Sequence, residues 1–227
     1  MRKDFLIFLF VMVICLSLVG CKKKENERGG EKVNSWVLNL KERENTIEKG
    51  NLKIFNAATQ NYTNMKLTPV AILGEQVVAG TNYMFLASTD SGFKMVVVYH
   101  DLEDKSTITQ VNDFDVLKYV NENIELKREN LVGGWNAYIP AKPIMLDEKT
   151  QNIFDKATEK LVGVTYLPIT ILAEQNKSGT NYAFLCYGRL SDQNQTSGIY
   201  VLTVYVDEHN TTETISIANI KLSDYSK

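Results

Sequence analysis

The side chains best able to make or break bonds are few, and their spacing argues against covalent chemistry. His100 and His209 are the only two histidines in the 227 residues, and neither lies near a cysteine, serine or carboxylate cluster with ligand or triad spacing. Asp101, Glu103 and Asp104 form an acidic turn, which on one short loop marks a soluble hairpin rather than a metal site. Cys186 closes the apolar run Tyr182-Ala183-Phe184-Leu185-Cys186 and reads as a small core residue, not a nucleophile. The pattern points away from an enzyme, a metal, a cofactor or a small-molecule substrate. What remains is noncovalent: the segment Gln76-Val77-Val78-Ala79-Gly80. Two adjacent valines at a turn gain nothing from facing water unless a partner buries them. Gly80 supplies the positive backbone torsion of a tight turn and leaves room for another backbone to approach.

The elements that must position this segment occur twice. Shifting the chain by 99 positions aligns Val33–Ala87 with Val132–Cys186 without a gap, and 17 of the 55 pairs are identical. Trp36 matches Trp135, Ile54-Phe55 matches Ile153-Phe154, and Gly80-Thr81-Asn82-Tyr83 matches Gly179-Thr180-Asn181-Tyr182. A period this long, seen only twice, indicates two self-contained domains rather than a solenoid. Helical spacing of Phe55, Ala58 and Tyr62, and of Phe154, Ala157 and Leu161, predicts helices over Glu48–Thr63 and Asp147–Leu161. Runs rich in β-branched and aromatic residues predict strands at Leu67–Val78, Thr81–Ser88, Phe93–Asp101 and Thr107–Val116. The second repeat follows the same order, with a longer turn over Arg189–Gly198. Each repeat is therefore expected to be an α+β domain, one helix packed across an antiparallel sheet of four to five strands.

The hairpin segment, extended through Thr81-Asn82-Tyr83 and preceded by Pro69-Val70-Ala71-Ile72-Leu73, resembles the first-hairpin signature of the cystatins, Gln-x-Val-x-Gly. That resemblance implies two tandem cystatin-like domains. It further implies inhibition of papain-like cysteine proteases, with Gln76, Val77, Val78, Ala79 and Gly80 entering the active-site cleft without being cleaved. The aligned tip of the second repeat reads Gln175-Asn176-Lys177-Ser178-Gly179, the polar composition of a turn with no client. Cystatins carry two further wedge elements. Gly133-Gly134-Trp135 is similar to their N-terminal glycine segment but belongs to the second repeat, and no Pro-Trp pair exists. The second hairpins read as polar, Glu103-Asp104-Lys105-Ser106 and Glu208-His209-Asn210-Thr211. The rival expectation is a cell-surface binding or adhesion module that keeps such a scaffold without inhibiting a protease.

The compartment is read from the first residues. Arg2 and Lys3 precede an apolar run from Phe5 to Leu16, too short for a stable membrane anchor and suited to a signal peptide over residues 1–20. Leu18-Val19-Gly20-Cys21 resembles a bacterial lipobox, which implies lipidation of Cys21 and a lipid-anchored protein of the cell envelope, exposed at the surface. Residues 21–32 contain lysines, acids and glycines and read as a flexible tether. Domain 1 is expected over 33–118, a linker over 119–130 and domain 2 over 131–227. The net charge of −2, with both signs interspersed, gives no sign of a nucleic-acid partner.

Overall fold

The computed structural model describes residues 36–37, 47–120, 136–137, 146–191 and 197–226. The expected leader, the lipidation site Cys21, the tether and Gly133-Gly134-Trp135 lie outside the described residues. The first repeat runs β1 (Trp36–Val37), α1 (Lys49–Thr59), β2 (Thr68–Val78), β3 (Gly80–Thr89), β4 (Gly92–His100) and β5 (Ser106–Phe114), followed by a single helical turn, α2 (Leu117–Val120). The second runs β6 (Asn136–Ala137), α3 (Glu148–Thr158), β7 (Val164–Lys177), β8 (Gly179–Leu190), β9 (Ser197–Val206) and β10 (Thr212–Ile220), and closes on a 3₁₀ turn at Leu222–Tyr225. Each repeat is mixed α+β, with four long antiparallel strands in meander order and a two-residue strand added beside the first of them.

The helices form where the three- and four-residue spacing placed them, though they end earlier than Thr63 and Leu161. At the start of α3, the Asp147 carboxylate accepts the Thr150 backbone N–H at 2.7 Å and its hydroxyl at 2.8 Å, satisfying a donor the helix cannot. Each helix anchors on one phenylalanine. Phe55 meets Phe85 edge to face with ring centroids 5.0 Å apart, and Phe154 meets Phe184 at 5.3 Å. Ile72, Val96 and Val98 complete the face under α1. Ile171, Leu202 and Val204 complete the one under α3. Strand alternation then forces the intervening residues to the opposite face of each sheet.

That opposite face is apolar too, and one helix per sheet cannot cover it. The two sheets cover each other. Val70, Leu73, Leu86, Met95 and Val97 of the first repeat share one continuous core with Leu172, Leu185, Tyr187, Ile199 and Val201 of the second. The self-contained domains expected from the duplication are therefore joined by a common interior. Alternation puts adjacent residues such as Ile72 and Leu73 on opposite faces, and both are buried. Equivalent bulges mark β2 and β7, where the register slips between Ile72 and Gly74 and between Ile171 and Ala173. Polar contacts also cross the seam. The buried Tyr187 hydroxyl donates to the Ile72 carbonyl at 2.8 Å, and Asn112 Nδ2 donates to the Tyr225 carbonyl at 2.8 Å. The first residues of the expected linker belong here as well: Val120 is buried, and Tyr119 shares a 2.9 Å hydroxyl contact with Tyr225.

Removing the crossing hydroxyl leaves a buried carbonyl without its donor. Tyr187→Phe is expected to cost about 1–3 kcal/mol of stability. Chemical denaturation should show one cooperative transition for both repeats, shifted as a whole.

Candidate functional site

The hairpin singled out by its valines is the turn between β2 and β3. Val78 pairs with Gly80, leaving Ala79 at the apex, and Gly80 has φ +124°. Val77 is 36% exposed, Ala79 is exposed, and Val78 is half-buried without joining any core cluster. Register places a second turn beside this one. Thr81 pairs with His100, and His100 pairs with Ser106, so the β2–β3 and β4–β5 turns lie at the same end of the sheet.

Three contacts hold the tip in shape. Asn82 Nδ2 donates to Gln76 Oε1 at 2.8 Å, bridging the two strands one step below the valines. The Tyr99 hydroxyl donates to the Ala79 carbonyl at the apex. Gly80 lies beneath the Tyr99 ring: a Cβ added there would stand 2.5 Å from the His100 carbonyl oxygen and 2.9 Å from the ring. The glycine is thus required by both torsion and space.

The second repeat carries the same frame. Asn181 Nδ2 donates to Gln175 Oε1 at 2.7 Å, the Tyr205 hydroxyl donates to the Ser178 carbonyl, and Gly179 has φ +109°. Gln76 and Gly80, two of the five residues expected to enter a cleft, therefore serve the hairpin itself. Only Val77, Val78 and Ala79 distinguish this tip from its duplicate, where Asn176, Lys177 and Ser178 stand.

The neighbouring turn corrects the reading of it as wholly polar. The expected strand end was Asp101, but β4 stops at His100 because the Asp101 carboxylate turns inward. It accepts the backbone N–H groups of Glu103 and Lys105, each at 2.9 Å. These bonds, that from Lys105 foremost, hold the Asp101 carboxyl below its ordinary range. The bonded turn therefore persists at neutral pH and loosens only as pH falls through that depressed value. Asp104 takes φ +62°. Leu102 is consequently pushed into solvent, 85% exposed. Asp207 builds the same turn in the second repeat through His209 and Thr211 at 2.8 and 2.7 Å, with Glu208 in the place of Leu102. The first repeat therefore presents exposed apolar residues on both adjacent turns where the second presents polar ones.

Two residues of this end escaped the sequence reading. Leu102 was hidden among acids. Tyr99 left a signal in Val98-Tyr99-His100-Asp101 and Val204-Tyr205-Val206-Asp207, a Val-Tyr-x-Asp pattern repeated beyond the gapless alignment. The other candidates have simpler roles. Cys186 is fully buried, its thiol pushed up by burial, and its Sγ faces the Tyr200 carbonyl at 3.6 Å, so no reactive thiolate forms. His100 Nδ1 contacts the Ser106 hydroxyl at 3.1 Å, while Nε2 stands 3.6 Å from the exposed Asp104 carboxylate. Among the described residues no group of three or more histidine, cysteine or acidic side chains could hold a metal, and no helix is long and apolar enough to cross a membrane.

No family model, curated protein or solved structure matches the chain.

Because Gly80 is held by torsion and by contact, Gly80→Ala is expected to destabilise the first repeat by about 1–3 kcal/mol. Gly92→Ala is the comparison, with φ +144° but nothing within 4 Å of its added Cβ. It should cost less in the same thermal or denaturant melt.

Proposed function

We propose that the chain is a noncovalent protein inhibitor of papain-like cysteine proteases. It acts by inserting the β2–β3 tip of the first repeat into the active-site cleft. The observation that carries this reading is the contrast within the molecule. Two hairpins share one frame, yet only one of them replaces a polar tip with Val77, Val78 and Ala79 and sets Leu102 beside it. Exposed apolar side chains on a rigid turn bind by filling a groove, and a preset tip loses little entropy on docking. On this reading each repeat is a cystatin-like domain. The chain is secreted through its signal peptide and held by lipid on Cys21 at the cell envelope, where the tip faces its target.

Leu102 takes the position that a second hairpin would need, without the Pro-Trp pair of the family. The mechanism is occlusion: the tip blocks the cleft and offers no peptide bond in cleavable geometry. The enzyme's own groups then have nothing to act upon.

One observation favours the second reading, a surface binding module with no protease target. Gln76 and Gly80, two of the three fixed residues of the cystatin signature, are matched in the second repeat by Gln175 and Gly179, where they support a polar tip. Their presence is accounted for by the hairpin alone.

Titration of the chain against papain-like enzymes separates the two. Under the inhibitor reading, Val77→Asn with Val78→Lys should weaken inhibition by about thirtyfold or more. Leu102→Glu should weaken it by a smaller factor, and circular dichroism should be unchanged for both. Inhibition by the parent chain no tighter than about micromolar, or equal potency of the double variant, would favour the module.

A further inference from the structure

Gln76, Asn82 and Tyr99 are register partners in one row across β2, β3 and β4. Side chains of one row share a sheet face, and the first two close on each other through the Asn82–Gln76 bond. Tyr99 reaches further. Its ring crosses from its partner Asn82 to Gly80, the diagonal neighbour two residues along β3. Its hydroxyl donates to the carbonyl of Ala79, the exposed apex residue. One side chain therefore engages both halves of a single peptide bond. The hydroxyl holds the oxygen on the acyl side, and the ring lies against the glycine on the amine side. Val77 belongs to the next row, Val77–Thr81–His100, on the opposite face. The exposed valine and the residue that clasps the apex thus stand on different sides of the hairpin.

A papain-like enzyme cuts a chain by bonding its thiolate sulfur to the carbonyl carbon of the scissile bond. The carbonyl oxygen takes up negative charge among the enzyme's hydrogen-bond donors, the C–N bond breaks, and the imidazolium gives its proton to the leaving amine. Water then splits the thioester, releasing a carboxylic acid and restoring thiolate and imidazolium. At the apex of the tip the bond at stake is Ala79–Gly80. Its oxygen is already held by Tyr99 toward the tip's own sheet, and turning it to the enzyme's donors means giving up that hydrogen bond.

We propose that Tyr99 is a positioning residue that keeps the tip an inhibitor rather than a substrate, by holding the Ala79 carbonyl oxygen away from the enzyme's donors. The assignment rests on the inhibitor reading of the tip. In the second repeat Tyr205 makes the same bond to the Ser178 carbonyl, and a Cβ added at Gly179 would stand 2.7 Å from its ring. There the clasp closes a tip of Asn176, Lys177 and Ser178, which has no cleft to enter. It serves as the internal control.

Tyr99→Phe removes the hydroxyl and keeps the ring over Gly80. Incubated with papain, the full-length variant should inhibit at first with the parent's inhibition constant. It should then lose inhibition with time, as the Ala79–Gly80 bond is cut about tenfold faster than in the parent. Mass spectrometry of the fragments identifies the bond. Tyr205→Phe loses the equivalent hydrogen bond and should remain as resistant as the parent, uncut between Ser178 and Gly179. Both bonds lie at the exposed surface, so circular dichroism and thermal melting should match the parent for both variants. A merely structural clasp would weaken inhibition from the first measurement. A Tyr99→Phe chain that stays intact, is weakened at the outset or is cut at another bond would overturn the assignment and leave the inhibitor reading standing. Equal cleavage at the two tips by the paired variants would do the same. A parent chain that inhibits papain no more tightly than about micromolar would overturn both.

Discussion

The architecture depends on sheet-on-sheet burial. A four-stranded sheet has two faces and one helix covers only one of them, so a repeat folded alone would leave Leu86, Met95 and their neighbours wet. Apolar burial is the dominant favourable term in folding, and small units are the ones least able to forgo it. Duplication solves the problem by supplying a second sheet with the same exposed face. The shared interior is therefore the condition under which either hairpin frame can exist. The Tyr187–Ile72 and Asn112–Tyr225 bonds fix how the faces meet.

From that base the paired-turn end of the first repeat follows by register alone. The Thr81–His100–Ser106 alignment sets two turns side by side. One turn is shaped by glycine and tyrosine, the other by an aspartate that folds back on its own backbone. In both, the polar groups are spent on the turn, and the apolar side chains are what is left to face outward. The arrangement reverses the usual logic of a soluble surface, where a polar turn residue meets water and an apolar one hides.

Much of this was legible in the residues. Repeat length, helix positions and strand order follow from periodicity, and most strand ends fall within a residue of those expected. The apolar runs Met84-Phe85-Leu86-Ala87 and Ala183-Phe184-Leu185-Cys186 even announce burial on both faces, since alternation is lost. What periodicity cannot say is which surface covers the second face, because that partner is distant in the chain. The same limit hid Tyr99, 20 residues from the carbonyl it grips. Leu102 was missed for a local reason: its exposure is decided by the Asp101 side chain, and hydrophobicity along the chain carries no record of such a turn. Gln76 and Gly80 teach the opposite lesson. They were legible as a signature, but the duplicate shows that a signature residue can belong to the frame rather than to the contact.

The paired frames carry a consequence for how such a protein changes over time. Glutamine, glycine, asparagine and tyrosine are retained at both tips while the three residues between them diverge completely. The hairpin thus behaves as a mount with an exchangeable insert. New specificity at either end of the duplication requires rewriting only three codons, with the interior untouched. A chain bearing active inserts in both mounts would be a bivalent reagent made from parts already present.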